Sequence, residues 1–266
     1  MRYKIDHDFH IHSGLSSCSG DAEQNAMRLL QYAKDKGLTK ICVTDHYWDS
    51  SVDGASSWYT PQDFEHIAEI LPLPKADGID FIFGAETDMD KHCTIGLPLS
   101  RFDDFGFVII PTTHMHMKRF AISEEDYCIS NRVVARWCER LDALLSMPLP
   151  FYKVGIAHLA CNLMNKTSRE EYIKTLDAIP SDEMERLFYK AAGLGVGIEL
   201  NMSDMSFADS EAENVLRMFK IAKACGCKFY LGSDAHHPAA FEKTTDIFER
   251  AITMLDLTEN DKFLIR

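Results

Sequence analysis

The 266-residue chain contains no hydrophobic run approaching the length of a membrane span, so no transmembrane helix and no membrane partner are expected. It also lacks a basic block. Its 28 Lys and Arg are scattered among 41 Asp and Glu, giving a net charge of -13. Extended nucleic acid demands clustered cations, so it is excluded as a partner. No CxxC occurs among the eight cysteines, whose closest pair is Cys225-Gly226-Cys227. Arg2, Lys4, Asp6 and Asp8 interrupt any early apolar stretch, so no signal peptide is expected and the chain reads as a reduced, cytoplasmic protein. A P-loop and a GxSxG elbow are both missing. The glycine-rich stretch Gly193 to Gly197 closes a helix and enters a strand, the reverse of a dinucleotide loop. Without a repeat, a low-complexity tract or a linker, residues 1–266 read as one domain.

Strand-like runs recur at Tyr3 to His12, Lys40 to Asp45, Asp80 to Glu86, Phe105 to Pro111, Tyr152 to His158, Val196 to Asn201 and Lys228 to Ser233. Several are almost continuously apolar, as buried parallel strands should be. Helical segments separate them. Capping-box patterns stand at Asp21 to Gln24, Ser168 to Glu171 and Ser210 to Glu213, Thr60-Pro61 places Pro at a first helical position, and Gly37 and Gly226 close helices. Seven strands alternating with helices predict a closed α/β barrel, whose sites lie on the loops after the strands. Trp48 to Trp58, Lys118 to Glu124 and His237 to Lys243 are such loops.

Histidine, glutamate or aspartate stands at or just past the end of nearly every strand. These are His10 and His12, His46, Glu86, His114, His158, then Asp234 and His236. Two histidines two apart on a strand project to one face and can share an ion. Asp8 lies on that face too and could orient a ligand. A single such histidine is as easily a polar strand end or a satisfied core residue. Repetition along the chain is what a multi-metal site requires, because barrel strand ends converge on one rim.

The set Asp8-Phe9-His10-Ile11-His12, Thr44-Asp45-His46, Gly84-Ala85-Glu86, Thr113-His114, Ala157-His158 and Gly232-Ser233-Asp234-Ala235-His236 resembles the polymerase and histidinol phosphatase (PHP) family of metal-dependent phosphoesterases. The resemblance implies a distorted (β/α)7 barrel with a three-metal site at the C-terminal ends of the strands. It implies that His10, His12, Glu86 and Asp234 hold a first ion. Glu86, His114 and His158 would hold a second, with Glu86 bridging, and His46 and His236 a third. A further ligand of the third ion comes from the loop after the first strand. Here that loop, Ser13 to Asp21, looks about three residues longer than usual. Counted back from His46, Asp21 is in register; counted forward from His12, Cys18 is. Asp21 is the preferred reading because an N/O site favours carboxylate over an isolated thiolate, although it also reads as a helix N-cap. The donor set admits Zn foremost, then Mn or Fe.

The activity so implied is hydrolysis of phosphate monoesters of a small metabolite, histidinol phosphate among the candidates, through a metal-bridged hydroxide. Asp234 would be catalytic, orienting the hydroxide or receiving its proton. Lys118, Arg119 and Asn201 are candidates for substrate contact, and His116 and His237 could also face the site. Arg132, Arg136 and Arg140, spaced by four, read as a salt-bridged helix surface. A phosphodiesterase or nuclease, and an amidohydrolase-like C–N hydrolase, are the alternative enzymes. A metal-binding protein without turnover fits less well, because structural sites seldom need three ions with open positions. Oligomeric state is not readable from these residues.

Overall fold

Phe9, Cys42, Phe107, Ile109, Ala157 and Tyr230, one or two from each of five strands, point inward and pack on one another. The computed structural model, which describes residues 1–265, closes a parallel sheet around them. Its strands are β1 (His7–Ile11), β2 (Lys40–Val43), β3 (His46–Tyr47), β4 (Asp80–Thr87), β5 (Phe107–Pro111), β6 (Val154–Ala157), β7 (Gly197–Asn201) and β8 (Lys228–Gly232). The hydrogen-bonded order is β1-β2-β4-β5-β6-β7-β8, with short β3 pairing with β4. At the C-terminal ends of β1 and β8, Asp234 N donates to His10 O at 2.7 Å and His12 N to Ala235 O at 3.1 Å, which nearly closes the barrel. The fold is thus the expected distorted (β/α)7 barrel.

Interior room is limited. A Cβ on Gly155 would lie 2.6 Å from the Tyr230 ring and 2.7 Å from Phe107, so only glycine lets both aromatics fill the centre. From below, Phe263 packs into the same cluster, its N–H donating to Phe229 O at 2.8 Å.

The outer layer comprises α1 (Ala26–Lys36), α2 (Phe64–Ile67), α3 (Ser130–Leu144), α4 (Arg169–Asp177), α5 (Ser181–Leu194), α6 (Ala212–Ala224) and α7 (Thr244–Met254). From α3, Val133, Trp137, Leu141 and Leu144 are buried against Met184, Leu187 and Phe188 of α5. Among the described residues no helix is long and apolar enough to cross a membrane.

All seven sequence-read strands are present, most of them shorter than read. The first begins at His7 because Tyr3 N instead bonds Leu257 O. Ser168 caps its helix as expected, accepting from Glu171 N at 3.1 Å, and Gly37 takes the left-handed C-cap conformation with φ 67°. Other helix starts differ. Asn25 rather than the Asp21 box caps α1, Asp63 caps α2 after Thr60-Pro61, and a 3₁₀ turn at Asp209–Glu211 precedes α6. For α1 and α2 a better-placed side-chain acceptor nearer the first helical turn takes the free N–H groups.

Arg140 corrects the surface-stripe reading. Arg132 and Arg136 do pair with Asp126 and Glu139, but Arg140 is wholly buried. Its guanidinium donates to Thr112 O at 2.7 Å, Met89 O at 2.8 Å and Asp90 O at 2.9 Å, and lies 3.4 Å from Asp88 Oδ1. Four acceptors satisfy a buried cation, and spacing cannot reveal them. Arg140→Leu should therefore destabilise the fold by roughly 3–5 kcal/mol, since it takes away the buried donors of Thr112 O and Met89 O and the cation beside Asp88. Chemical denaturation would check this; a loss below about 1 kcal/mol would show that Arg140 does not pin these loops.

Candidate metal centre

β1 carries His10 and, one step past its end, His12 into the barrel mouth, and both side chains are fully buried. Glu86 near the end of β4 meets them. His10 Nε2 lies 3.1 Å from His12 Nε2, 3.2 Å from Glu86 Oε2 and 3.4 Å from Asp234 Oδ1. His12 Nε2 lies 3.2 Å from Glu86 Oε2 and 3.1 Å from Asp234 Oδ1. Donors held ~2.0–2.1 Å from one tetrahedral ion are roughly 3.3 Å apart. All five separations match that spacing, so these four side chains could hold one ion.

On the far oxygen of Glu86, His158 Nε2 lies 3.6 Å away and also 3.7 Å from Asp234 Oδ2. The His114 ring centroid is 5.0 Å from that of His158. On the other flank His12 stacks between His236, at 4.2 Å, and His46, at 4.5 Å. Two buried atoms here, Glu86 Oε1 and His46 Nδ1, have no hydrogen-bond partner. Unsatisfied polar atoms at the focus of an imidazole and carboxylate cluster fit a cation-binding site.

The imidazoles are oriented from behind. His10 Nδ1 bonds Glu199 Oε1 at 2.6 Å, His114 Nδ1 bonds Asp88 Oδ2 at 2.9 Å and His12 Nδ1 bonds Ser16 Oγ at 2.9 Å. Ser16 Oγ in turn donates to Asp45 Oδ1 at 2.6 Å. Such partners fix the ring and leave the other nitrogen free to ligate. The sequence reading missed Glu199 as the partner of His10, although its place at a strand end beside Asn201 was a signal. Asp88 was also missed; standing two residues after Glu86, it continues the same strand face. A Cβ on Gly232 would lie 2.0 Å from Glu199 Oε1 and 2.7 Å from His10 Cβ, so the glycine before Ser233 lets Glu199 reach His10.

Asp234 and His158 both have left-handed backbone, with φ 52° and 57°. For residues with a Cβ that conformation costs about 1–2 kcal/mol, and such strain clusters at functional sites. Burial alone would raise the Glu86 carboxyl, but His46 and His10 hold it well below its ordinary range; His10 and His158 likewise depress Asp234 against burial. Burial disfavours charge on His10 and His158 too, yet the facing carboxylates raise both well above the usual imidazole value, and His12 to about 8. His236 is lowered to about 4 by burial and by His12.

The site opens into a cavity of about 480 Å³. Its lining includes Trp58 and Tyr59 from the loop after β3, together with Met117, Leu163, His116 and Cys18. Among the described residues no Lys or Arg lines it.

Not every expected residue arrives. Asp21, the preferred loop ligand, instead accepts from Glu23 N at 2.9 Å and pairs with His237 Nδ1 at 3.1 Å. The thiol of Cys18 joins His12, His46 and His236, all donor atoms lying within 4.8 Å of one another. Arg119 pairs with Glu124, Lys118 sits over the Tyr127 ring at 4.2 Å, and neither reaches the cavity. Asn201 is buried, its Oδ1 accepting from Ser203 N at 2.8 Å; Ser203 is the one that lines the cavity.

A model of the PHP domain matches residues 8–192. Two curated proteins named as probable phosphatases are similar. One, from Caldicellulosiruptor bescii, is 26% identical over 83% of this chain and 77% of its own. Another, from Caldicellulosiruptor saccharolyticus, is 26% identical over 82% and 76%. Among solved structures, the histidinol phosphate phosphatase of Lactococcus lactis, complexed with zinc, L-histidinol and phosphate, superposes with a TM-score of 0.57. The match covers 92% of this chain and 93% of that one at 18% identity.

Two outcomes follow from the site. The facing carboxylates favour the protonated forms of His10, His12 and His158, and ligation requires them neutral, so loading with zinc should release protons and weaken as pH falls. Titration calorimetry in buffers of different ionisation enthalpy reads this directly; buffer-independent heats would contradict it. Gly232→Ala, which displaces Glu199 from His10, should lower metal affinity by about 10–100-fold with the fold retained. Unchanged affinity in a competition assay would remove Glu199 from that role.

Proposed function

The chain belongs to the PHP domain family, and from that premise we propose that it is a metal-dependent phosphatase acting on a phosphate monoester of a small metabolite. The observation that carries the reading is the spacing of His10, His12, Glu86 and Asp234, whose donor atoms stand 3.1–3.4 Å apart in five measured pairs. His158 and His114 would hold a second ion with Glu86 as the shared carboxylate, since its two oxygens face opposite sides. His46 and His236 would hold a third. Zinc is the leading candidate for these N/O sites, with manganese or iron next. When bound, such ions neutralise phosphoryl oxygens and bring the pKa of water toward neutrality.

The remaining roles fall to the chain itself. Asp234, with its carboxylate partly open to the cavity, would orient the attacking water and accept its proton. Among the described residues no Lys or Arg lines the cavity to hold a second anion, which favours a substrate with a single phosphoryl group. Trp58, Tyr59, Met117 and Leu163 would cover the leaving group and exclude water from it. The Lactococcus neighbour binds L-histidinol and phosphate, so histidinol phosphate is the first substrate to test. A net charge of -13 weighs against a nuclease.

Release of inorganic phosphate from a panel of monoesters, diesters and amides tests the reading. Turnover of monoesters is expected, and Glu86→Gln should lower it by at least 10³-fold and reduce the metal content. Cleavage of amides alone would overturn the proposal in favour of a C–N hydrolase.

A further inference from the structure

The loop after β1 runs past the ion cluster as a built turn. Ser16 Oγ is held by Asp45 Oδ1 at 2.6 Å and receives His46 N at 3.2 Å. Ser17 N donates to Gln62 Oε1 at 2.9 Å, and Ser19 Oγ to His236 O at 2.6 Å. Cys18 is therefore anchored on both sides. Its sulfur faces His12, His46 and His236 with all donor atoms within 4.8 Å. Cys18 is a free thiol without a disulfide partner. The buried Nδ1 of His46 makes no hydrogen bond, although it lies 3.2 Å from Glu86 Oε2. Asp21, three residues on, is turned away to His237.

We propose that Cys18 is a thiolate ligand of the third ion, bound with His46 and His236, and that this flank selects zinc or another thiophilic cation over manganese. The inference rests on the reading of the site as a metal centre, and not on which ester is cleaved. Ligation forms one sulfur–metal bond and releases the thiol proton to solvent. His12 is already committed to the cluster with Glu86 and Asp234, so it packs against the flank rather than completing it. Two neutral imidazoles and one thiolate leave a single negative charge there, where a carboxylate at the same place would give a harder site. Soft donors favour zinc within the divalent series, and manganese prefers oxygen.

Cobalt substitution gives a direct readout. The cobalt-loaded protein should show a sulfur-to-cobalt charge-transfer band in the near ultraviolet. Cys18→Ser should abolish the band and lower the zinc content by one ion per chain. Cys18→Asp should also abolish it, keep the ion count, and shift preference toward manganese by about 10-fold or more. A second thiol, Cys161, also lines the cavity beside His158 and Asp204, so Cys161→Ser is the control and should leave the band intact. A wild-type protein without the band, a band lost in Cys161→Ser instead, or a Cys18→Ser variant with full ion content would overturn the proposal. Metal content and spectrum need no turnover. A protein that shows the band yet hydrolyses no monoester leaves the ligand assignment standing and refutes the phosphatase reading.

Discussion

Glu86 ends its strand with a buried carboxylate facing four imidazoles, those of His10, His12, His46 and His158. A carboxylate so enclosed is stable only if positive charge surrounds it, because burial of an isolated anion is prohibitive. The carboxylates favour protons on His10, His12 and His158, whereas burial opposes one on His46. Divalent cations would balance the carboxylate more strongly and would leave the imidazoles neutral. The fold of the barrel mouth, the protonation of its histidines and the chemistry open to it all depend on how that negative charge is balanced.

Parallel closure makes the convergence possible. Most strands deliver one or two donors at or just past their ends to the same rim, so residues from position 10 to position 236 become neighbours. Rigidity comes from behind. Glu199, Asp88 and the Ser16–Asp45 pair fix three rings, and Arg140 holds Asp88 from the helical layer. Precision of this kind lies in groups that never contact a ligand.

The strands were legible because their apolar runs are long enough to bury and because glycine and proline punctuate them. The rim was legible because histidine and glutamate recur at strand ends, which a core does not require. Asp21 misled for a physical reason: sequence counting treats a loop as a fixed number of steps, while this one folds into a turn that brings Cys18 inward and leaves Asp21 outside. Arg140 was unreadable because its acceptors are backbone carbonyls, which every residue has. Lys118 and Arg119 were read from adjacency to His114, but the chain turns sharply there, Arg119 adopting φ 65°, and both leave the rim. The aromatic wall of Trp58 and Tyr59 carried no motif at all; only the closed barrel places it over the cavity.

The left-handed backbone at His158 and Asp234 sets evolution of the fold against evolution of the site. Glycine, or asparagine in part, would relax both positions and make the barrel more robust. Neither can supply a histidine nitrogen or a carboxylate to the rim. The strained backbone at these two positions is thus a stability cost that the fold carries for the sake of the rim.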